Sequence, residues 1–205
     1  AGSDIRVNGH TELTSNYATS AEASIRSLSL EKALQIGGQG AIPVRGDLSA
    51  TAHLQGTRQM PVADLAFTLT RGNVYEGPVD RLEGTARYSN QALDIPSLEI
   101  HAPAGRVALH GSWNAAAATL RIDATDIEIA KIEHVRRVTP GLAGTLHLAV
   151  DVSAELPRDG SVRVRIKSLN TDIRTRELRV DKQRLGDASL IAQTTALVGS
   201  KVPPP

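Results

Sequence analysis

The chain has 205 residues, of which 40% are hydrophobic, 22% charged and 2% aromatic, and it has no cysteine. Its length allows one ordinary domain or two small ones, and its apolar share is that of a folded chain. Lys and Arg number 23 against 22 Asp and Glu, a formal charge of +1, which is too balanced for general attraction to nucleic acid.

The five aromatics, Tyr17, Phe67, Tyr75, Tyr88 and Trp113, are scattered along the chain and offer no base-stacking platform. Without cysteine there are no disulfides, thiolates or Cys-based zinc sites, and both a reducing cytosol and a cysteine-poor periplasm are compatible with that. No apolar run approaches the roughly 18 residues that span a bilayer, and AGSDIRVNGH lacks the charged-then-apolar layout of a signal peptide. Any targeting element or anchor is therefore expected outside this chain.

Taken in order, most of the sequence alternates with period two, which places successive side chains on opposite faces of a strand. Residues 29 to 35 break the rule. Alternation then resumes through Leu65, Phe67 and Leu69, through Leu82, Gly84, Ala86 and Tyr88, and through Leu98 and Ile100, Val107, Leu109 and Trp113. Residues 130 to 138, AKIEHVRRV before Thr139-Pro140-Gly141, read as a short helix stopped by Pro and Gly. In residues 144 to 153, Leu146, Leu148, Val150 and Val152 share one parity, opposite Thr145, His147, Asp151 and Ser153. In residues 161 to 167, Val162, Val164 and Ile166 oppose Arg163, Arg165 and Lys167. Turns are expected at Ser89-Asn90-Gln91, Ala102-Pro103-Ala104-Gly105 and Pro157-Arg158-Asp159-Gly160. Short strands with turn signals roughly every 10 residues indicate an all-β chain with antiparallel neighbours.

The two breaks mark an internal repeat at an offset of about 100 residues. RSLSLEKALQIGGQGAIPVRGDLSATAHLQG matches TDIEIAKIEHVRRVTPGLAGTLHLAVDVSA in layout: a short strand, a helical turn, a Pro or Gly break, and a Gly-started alternating strand. Residues 1–23 are read as leading strands of a preceding repeat, 24–124 as the first repeat, 125–197 as a second, truncated one, and 198–205 as linker.

The stretches LEGTARY, ALDIPSLEIHAPAGRVALHGSWN, ATLRIDATDIEIAKI and TPGLAGTLHLAVDVSAEL resemble the AsmA-like and TamB-like proteins of Gram-negative bacteria. The resemblance covers most of residues 24 to 197 and rests on phrasing, not on a catalytic residue. It implies an elongated, curved antiparallel sheet, a β-taco or half-pipe with one or two short helices, whose concave face is apolar. It further implies a periplasmic lipid-transport role within an inner-membrane-anchored protein, conducting phospholipids between the two membranes and supporting outer-membrane biogenesis. The family also suggests an outer-membrane barrel of the Omp85 class as partner of the full-length protein. A strand-pairing chaperone or scaffold for outer-membrane protein and autotransporter assembly is the alternative.

From the residues themselves, a sheet with one apolar face must cover it with a second sheet, helices or an apolar ligand. A closed β-sandwich satisfies periodicity as well as an open groove does; the resemblance points to the groove. Its expected lining is Leu65, Phe67, Leu69, Leu82, Tyr88, Leu98, Ile100, Val107, Leu109, Trp113, Leu146, Leu148, Val150, Val152, Val162, Val164 and Ile166, with phospholipid acyl chains as ligand. An aliphatic lining suits acyl chains, which gain about 0.8 kcal/mol per buried methylene without directional bonds.

No constellation for catalysis is apparent. The histidines at 10, 53, 101, 110, 134 and 147 carry no metal-ligand spacing and read as solvated-face residues, so neither a metal nor another cofactor is expected. Gly37-Gly38-Gln39-Gly40 lacks the Lys-Ser/Thr of a phosphate loop and reads as a turn. No G-x-S-x-G elbow occurs, and Asp123, Asp126, Glu128 and Glu133 lack calcium-loop spacing. The basic run from Arg158 to Arg184 reads as a solvated outer face, or else as a rim facing lipid headgroups.

Overall fold

A computed structural model describes residues 3–13, 17–36, 38–39, 41–74, 77–156 and 165–195. Eleven strands form one sheet in simple sequence order, each antiparallel to the next. They are β1 (Asp4–Thr11), β2 (Thr19–Ser29), β3 (Val44–Gly56), β4 (Pro61–Val74), β5 (Gly77–Ser89), β6 (Ala92–Ala102), β7 (Gly105–Trp113), β8 (Ala117–Glu128), β9 (Leu142–Glu155), β10 (Arg165–Val180) and β11 (Gln183–Thr195). The sheet is curved and does not close. The fold is all-β with antiparallel neighbours, as alternation indicates, and its curved, unclosed sheet is the form that the resemblance implies, not the closed sandwich that alternation also allows.

The two breaks in alternation are the two helical insertions. α1 (Leu30–Ile36) joins β2 to β3, and a 3-10 turn (Ile129–Lys131) with α2 (Glu133–Val138) joins β8 to β9. α1 ends where Gly38 takes φ +73 and the Gly38 and Gln39 N–H groups donate to the carbonyls of Gln35 (3.2 Å) and Leu34 (2.7 Å). Those paired bonds over a left-handed glycine close a helix end, so Gly38 acts as a stop signal.

Both clear hairpins in the middle of the chain are two-residue turns. Ser89 pairs with Ala92 across Asn90 and Gln91, whose φ values of 51 and 60 match the strand twist as a type I′ turn does. Ala102 pairs with Gly105 across Pro103 and Ala104. The turn expected at residues 157–160 and the linker at 198–205 lie outside the described residues.

The sheet carries the same irregularities twice. Ser27 (φ 51) near the end of β2 and Asp126 (φ 53) near the end of β8 each interrupt the pairing just before a helix. Gly46 (φ 139) in β3 answers Gly144 (φ 144) in β9, and Arg71 (φ 51) in β4 answers Glu177 (φ 52) in β10. Left-handed backbone is unfavourable for these four non-glycine residues, and each is tied to a neighbouring strand. The Ser27 N–H donates to Ser49 Oγ (3.3 Å), Arg71 Nε to Asp47 Oδ2 (3.1 Å), and the Glu177 N–H to Asp187 Oδ1 (2.8 Å); Asp126 lies 3.6 Å from His147 Nε2.

Little of this sheet is buried. Among the described residues the buried hydrophobic side chains are Leu69, Val79, Ala124, Ile127, Ile129 and Ala154, and no polar side chain is buried. Most of them lie near the margin that carries the helical insertions.

Candidate functional site

Directly paired residues in an antiparallel sheet point to the same face, so the pairings trace each face across the strands. One row runs Leu28, Leu48, Leu69, Leu82, Ile100, Val107, Ala124, Leu148, Ile173 and Leu190, each residue paired with the next. It crosses ten strands, a span of about 43 Å at the usual strand spacing of about 4.8 Å. A second row contains Ile25, Phe67, Leu98, Leu109, Ile122 and Val150. Leu65, Leu120, Val152 and Leu169 lie in a third, and Leu54, Tyr88, Leu93, Trp113 and Ile166 in a fourth.

Fifteen of the expected lining residues therefore share one face: Leu65, Phe67, Leu69, Leu82, Tyr88, Leu98, Ile100, Val107, Leu109, Trp113, Leu146, Leu148, Val150, Val152 and Ile166. Val162 and Val164 lie outside the described residues. Parity within each strand, together with pairing between strands, suffices to gather them. Sequence reading missed Leu48, Leu54, Leu120, Ile122 and Ile173 on the same face, although the same alternation runs through their strands.

No second layer packs on this face among the described elements, which contact one another along the sheet and at the helical insertions. Exposure varies within the rows: Trp113 and Ile166 in the fourth are 58% and 51% exposed and Leu190 of the first, on β11, is 58% exposed, while Leu69 of the first is 3% exposed. Surface apolar area that is contiguous, not scattered, marks an interaction site.

The opposite face is polar and largely self-neutralised. Arg87 lies 3.5 Å from Asp64, Arg121 donates to Asp123 at 2.8 Å, and Arg174 to Asp172 at 3.0 Å. Arg121 is held above its usual range, chiefly by its hydrogen bond to Asp123 and by the charges of Asp123 and Asp151. Hydroxyls pair across strands here, Thr85 with Ser97 (3.1 Å) and Ser112 with Thr119 (2.8 Å). His53 and His147 belong to this face, as their parity requires, and Asp126 accounts for His147. In the basic run, Arg165 and Lys167 both reach Glu155. The Lys167 bond is the main reason that the Glu155 carboxyl sits below its ordinary range.

Depressions appear on this polar side. One of about 470 Å³ is bordered by Ser24, Thr51, Thr68, Glu83, Thr85 and Ser97, and another of about 520 Å³ by Asp94, Ser112, Thr119, Arg121, Asp151 and Ser153. Short side chains such as Ser24, Thr51, Thr85 and Ser97 leave these hollows open. The resemblance implies a concave apolar lining. What the described side chains present is an uncovered apolar surface on one side and hydroxyl-floored hollows on the other.

Comparison of the chain with protein-family models, curated proteins and solved structures returns no match. Among the described residues no helix is long and apolar enough to cross a membrane.

Proposed function

We propose that the apolar face binds aliphatic chains and that the protein acts in a periplasmic lipid-transport system of the AsmA-like or TamB-like kind, carrying phospholipid between membranes. The observation that carries this reading is the row of aliphatic side chains crossing ten strands with no second layer over it among the described residues. An acyl chain laid across the strands meets a methyl or methylene at each step and needs no hydrogen-bond partner, because the sheet satisfies its own backbone. Half a bilayer's hydrocarbon core is about 15 Å deep, so a row of about 43 Å is long enough for an acyl chain in more than one position. Continuity without a fixed stop is what passage along a groove requires.

The test is mass spectrometry of lipids retained by the purified protein, with and without a charge placed on the apolar face. Phospholipid that is retained by the parent and lost from an apolar-face variant is the expected result. Absence of lipid from the parent, or retention unchanged by such a charge, refutes the reading.

A second reading follows from the sheet's being unclosed. Among the described residues β1 and β11 each pair on one side only, and an open strand edge is a template for a client strand. In that case prolines in β1 or β11 abolish activity in outer-membrane protein assembly, and charges on the apolar face do not.

A further inference from the structure

On the polar face, at one margin of the first hydroxyl-floored hollow, two carboxylates oppose each other directly. Glu83 of β5 pairs with Glu99 of β6. Like charges at paired positions destabilise a sheet. His101 lies two residues along the same face of β6, its Nε2 3.4 Å from Glu99 Oε2. One ligating atom from each of Glu83, Glu99 and His101 lies within 4.8 Å of the others. All three side chains are partly exposed, so they are free to adjust and open to solvent.

We propose that Glu83, Glu99 and His101 form a binding site for a divalent transition-metal ion of the zinc class. Two carboxylate oxygens and one imidazole nitrogen match the donor sets such ions take, with waters completing the shell. The imidazole favours zinc-like ions over magnesium and calcium, which prefer all-oxygen sites. Ligands bound at about 2.0–2.2 Å in a tetrahedral shell stand about 3.3–3.6 Å apart, a separation that Glu99 Oε2 and His101 Nε2 already have at 3.4 Å, so Glu83 is the ligand that has to move in. The ion offsets the Glu83–Glu99 repulsion and clips β5 to β6. Arg81 is the competitor: it opposes His101 on β5 and donates to Glu83 Oε2 at 2.9 Å. Arg106 opposes His101 from β7. The site lies on the face away from the aliphatic rows and does not depend on the acyl-chain reading.

The experiment is calorimetric titration of the purified full chain with zinc chloride alone, repeated with cobalt chloride so that the visible absorbance reports the ligand field. One ion per chain is expected. His101→Gln and Glu99→Gln weaken binding about 10-fold or more, and His147→Gln, altered at a histidine outside the cluster, leaves it unchanged. Arg81→Ala strengthens binding, because Glu83 is released and a repelling cation is removed; a merely structural role for the cluster predicts no such gain. Circular dichroism identical to the parent's establishes that each variant is folded. No stoichiometric binding up to millimolar zinc, or binding that survives His101→Gln and Glu99→Gln undiminished, overturns the proposal.

Discussion

Leu120→Asp separates a binding role for the apolar face from a purely structural one. Leu120 lies in the third row between Gly111 and Val152 and is 36% exposed. Full burial of a leucine is worth about 1.5–3 kcal/mol, so the buried two thirds of this one contribute about 1–2 kcal/mol. A domain of ordinary stability, about 5–15 kcal/mol, survives that loss. An acyl chain crossing the position meets it with two or three methylenes at about 0.8 kcal/mol each; losing them costs about 2 kcal/mol, or about 30-fold in affinity. The neighbouring residue provides the control, because Thr119 points to the other face and pairs with Ser112. Retained phospholipid measured by mass spectrometry is expected to fall in Leu120→Asp and to stay at the parent level in Thr119→Asp, with both variants showing cooperative thermal unfolding. Equal loss in the two, or no loss in Leu120→Asp, refutes the assignment of lipid contact to this face.

The same structure fixes other outcomes. Leu69→Ala removes a side chain 3% exposed and is expected to cost about 2–5 kcal/mol in urea denaturation, whereas Leu65→Ala, at a position 39% exposed, costs about 1–2 kcal/mol. Gly144→Ala places a Cβ 2.9 Å from the Arg176 carbonyl oxygen at φ +144 and is expected to destabilise more than Gly38→Ala, where φ is +73 and nothing lies within 4 Å; the second costs about 1–2 kcal/mol, from backbone strain alone. The depressed carboxyl of Glu155 gives a contribution to stability that is present above the unfolded carboxylate value, about 4.3, and is lost as pH falls through the lower folded value. In an NMR titration of Lys167→Met, the Glu155 midpoint is expected to rise toward the ordinary value; an unchanged midpoint removes Lys167 as the cause.

Parity made the apolar face legible, because a half-covered strand cannot put Leu146, Leu148 and Val150 on one side without putting Thr145 and His147 on the other. The helical insertions were legible as failures of that alternation. The hydroxyl-floored hollows were not, since Ser24, Thr51, Thr85 and Ser97 are separated in sequence and meet only through strand pairing. Glu83 and His101 come together for the same reason. Read singly, His101 is one more histidine on a wet face; only the pairing of β5 with β6 shows two carboxylates beside it. Left-handed backbone at Arg71 and Glu177 carries no signal in the residue types, which ordinarily avoid it, and becomes intelligible through the side-chain and backbone bonds to Asp47 and Asp187.

The interruptions at Ser27 and Asp126 have a function in keeping the faces pure. Along β2 the apolar face takes Ala21, Ala23 and Ile25 and then Leu28, and along β8 it takes Leu120, Ile122 and Ala124 and then Ile127. Each sequence steps by two and then once by three, and strict pleating would turn Leu28 and Ile127 to the polar side. The extra residue is absorbed as a bulge, so the last apolar side chain before each helix returns to its face. Deleting Asp126 is then expected to leave Ile127 on the apolar face, two residues after Ala124, and to preserve cooperative unfolding at the cost of the Asp126–His147 contact. Deleting Arg121, inside the uninterrupted alternation, turns Leu120 and Ala118 to the polar face and is expected to abolish the cooperative transition seen by circular dichroism. Equal tolerance of the two deletions would mean that register in this sheet is set by something other than the apolar face.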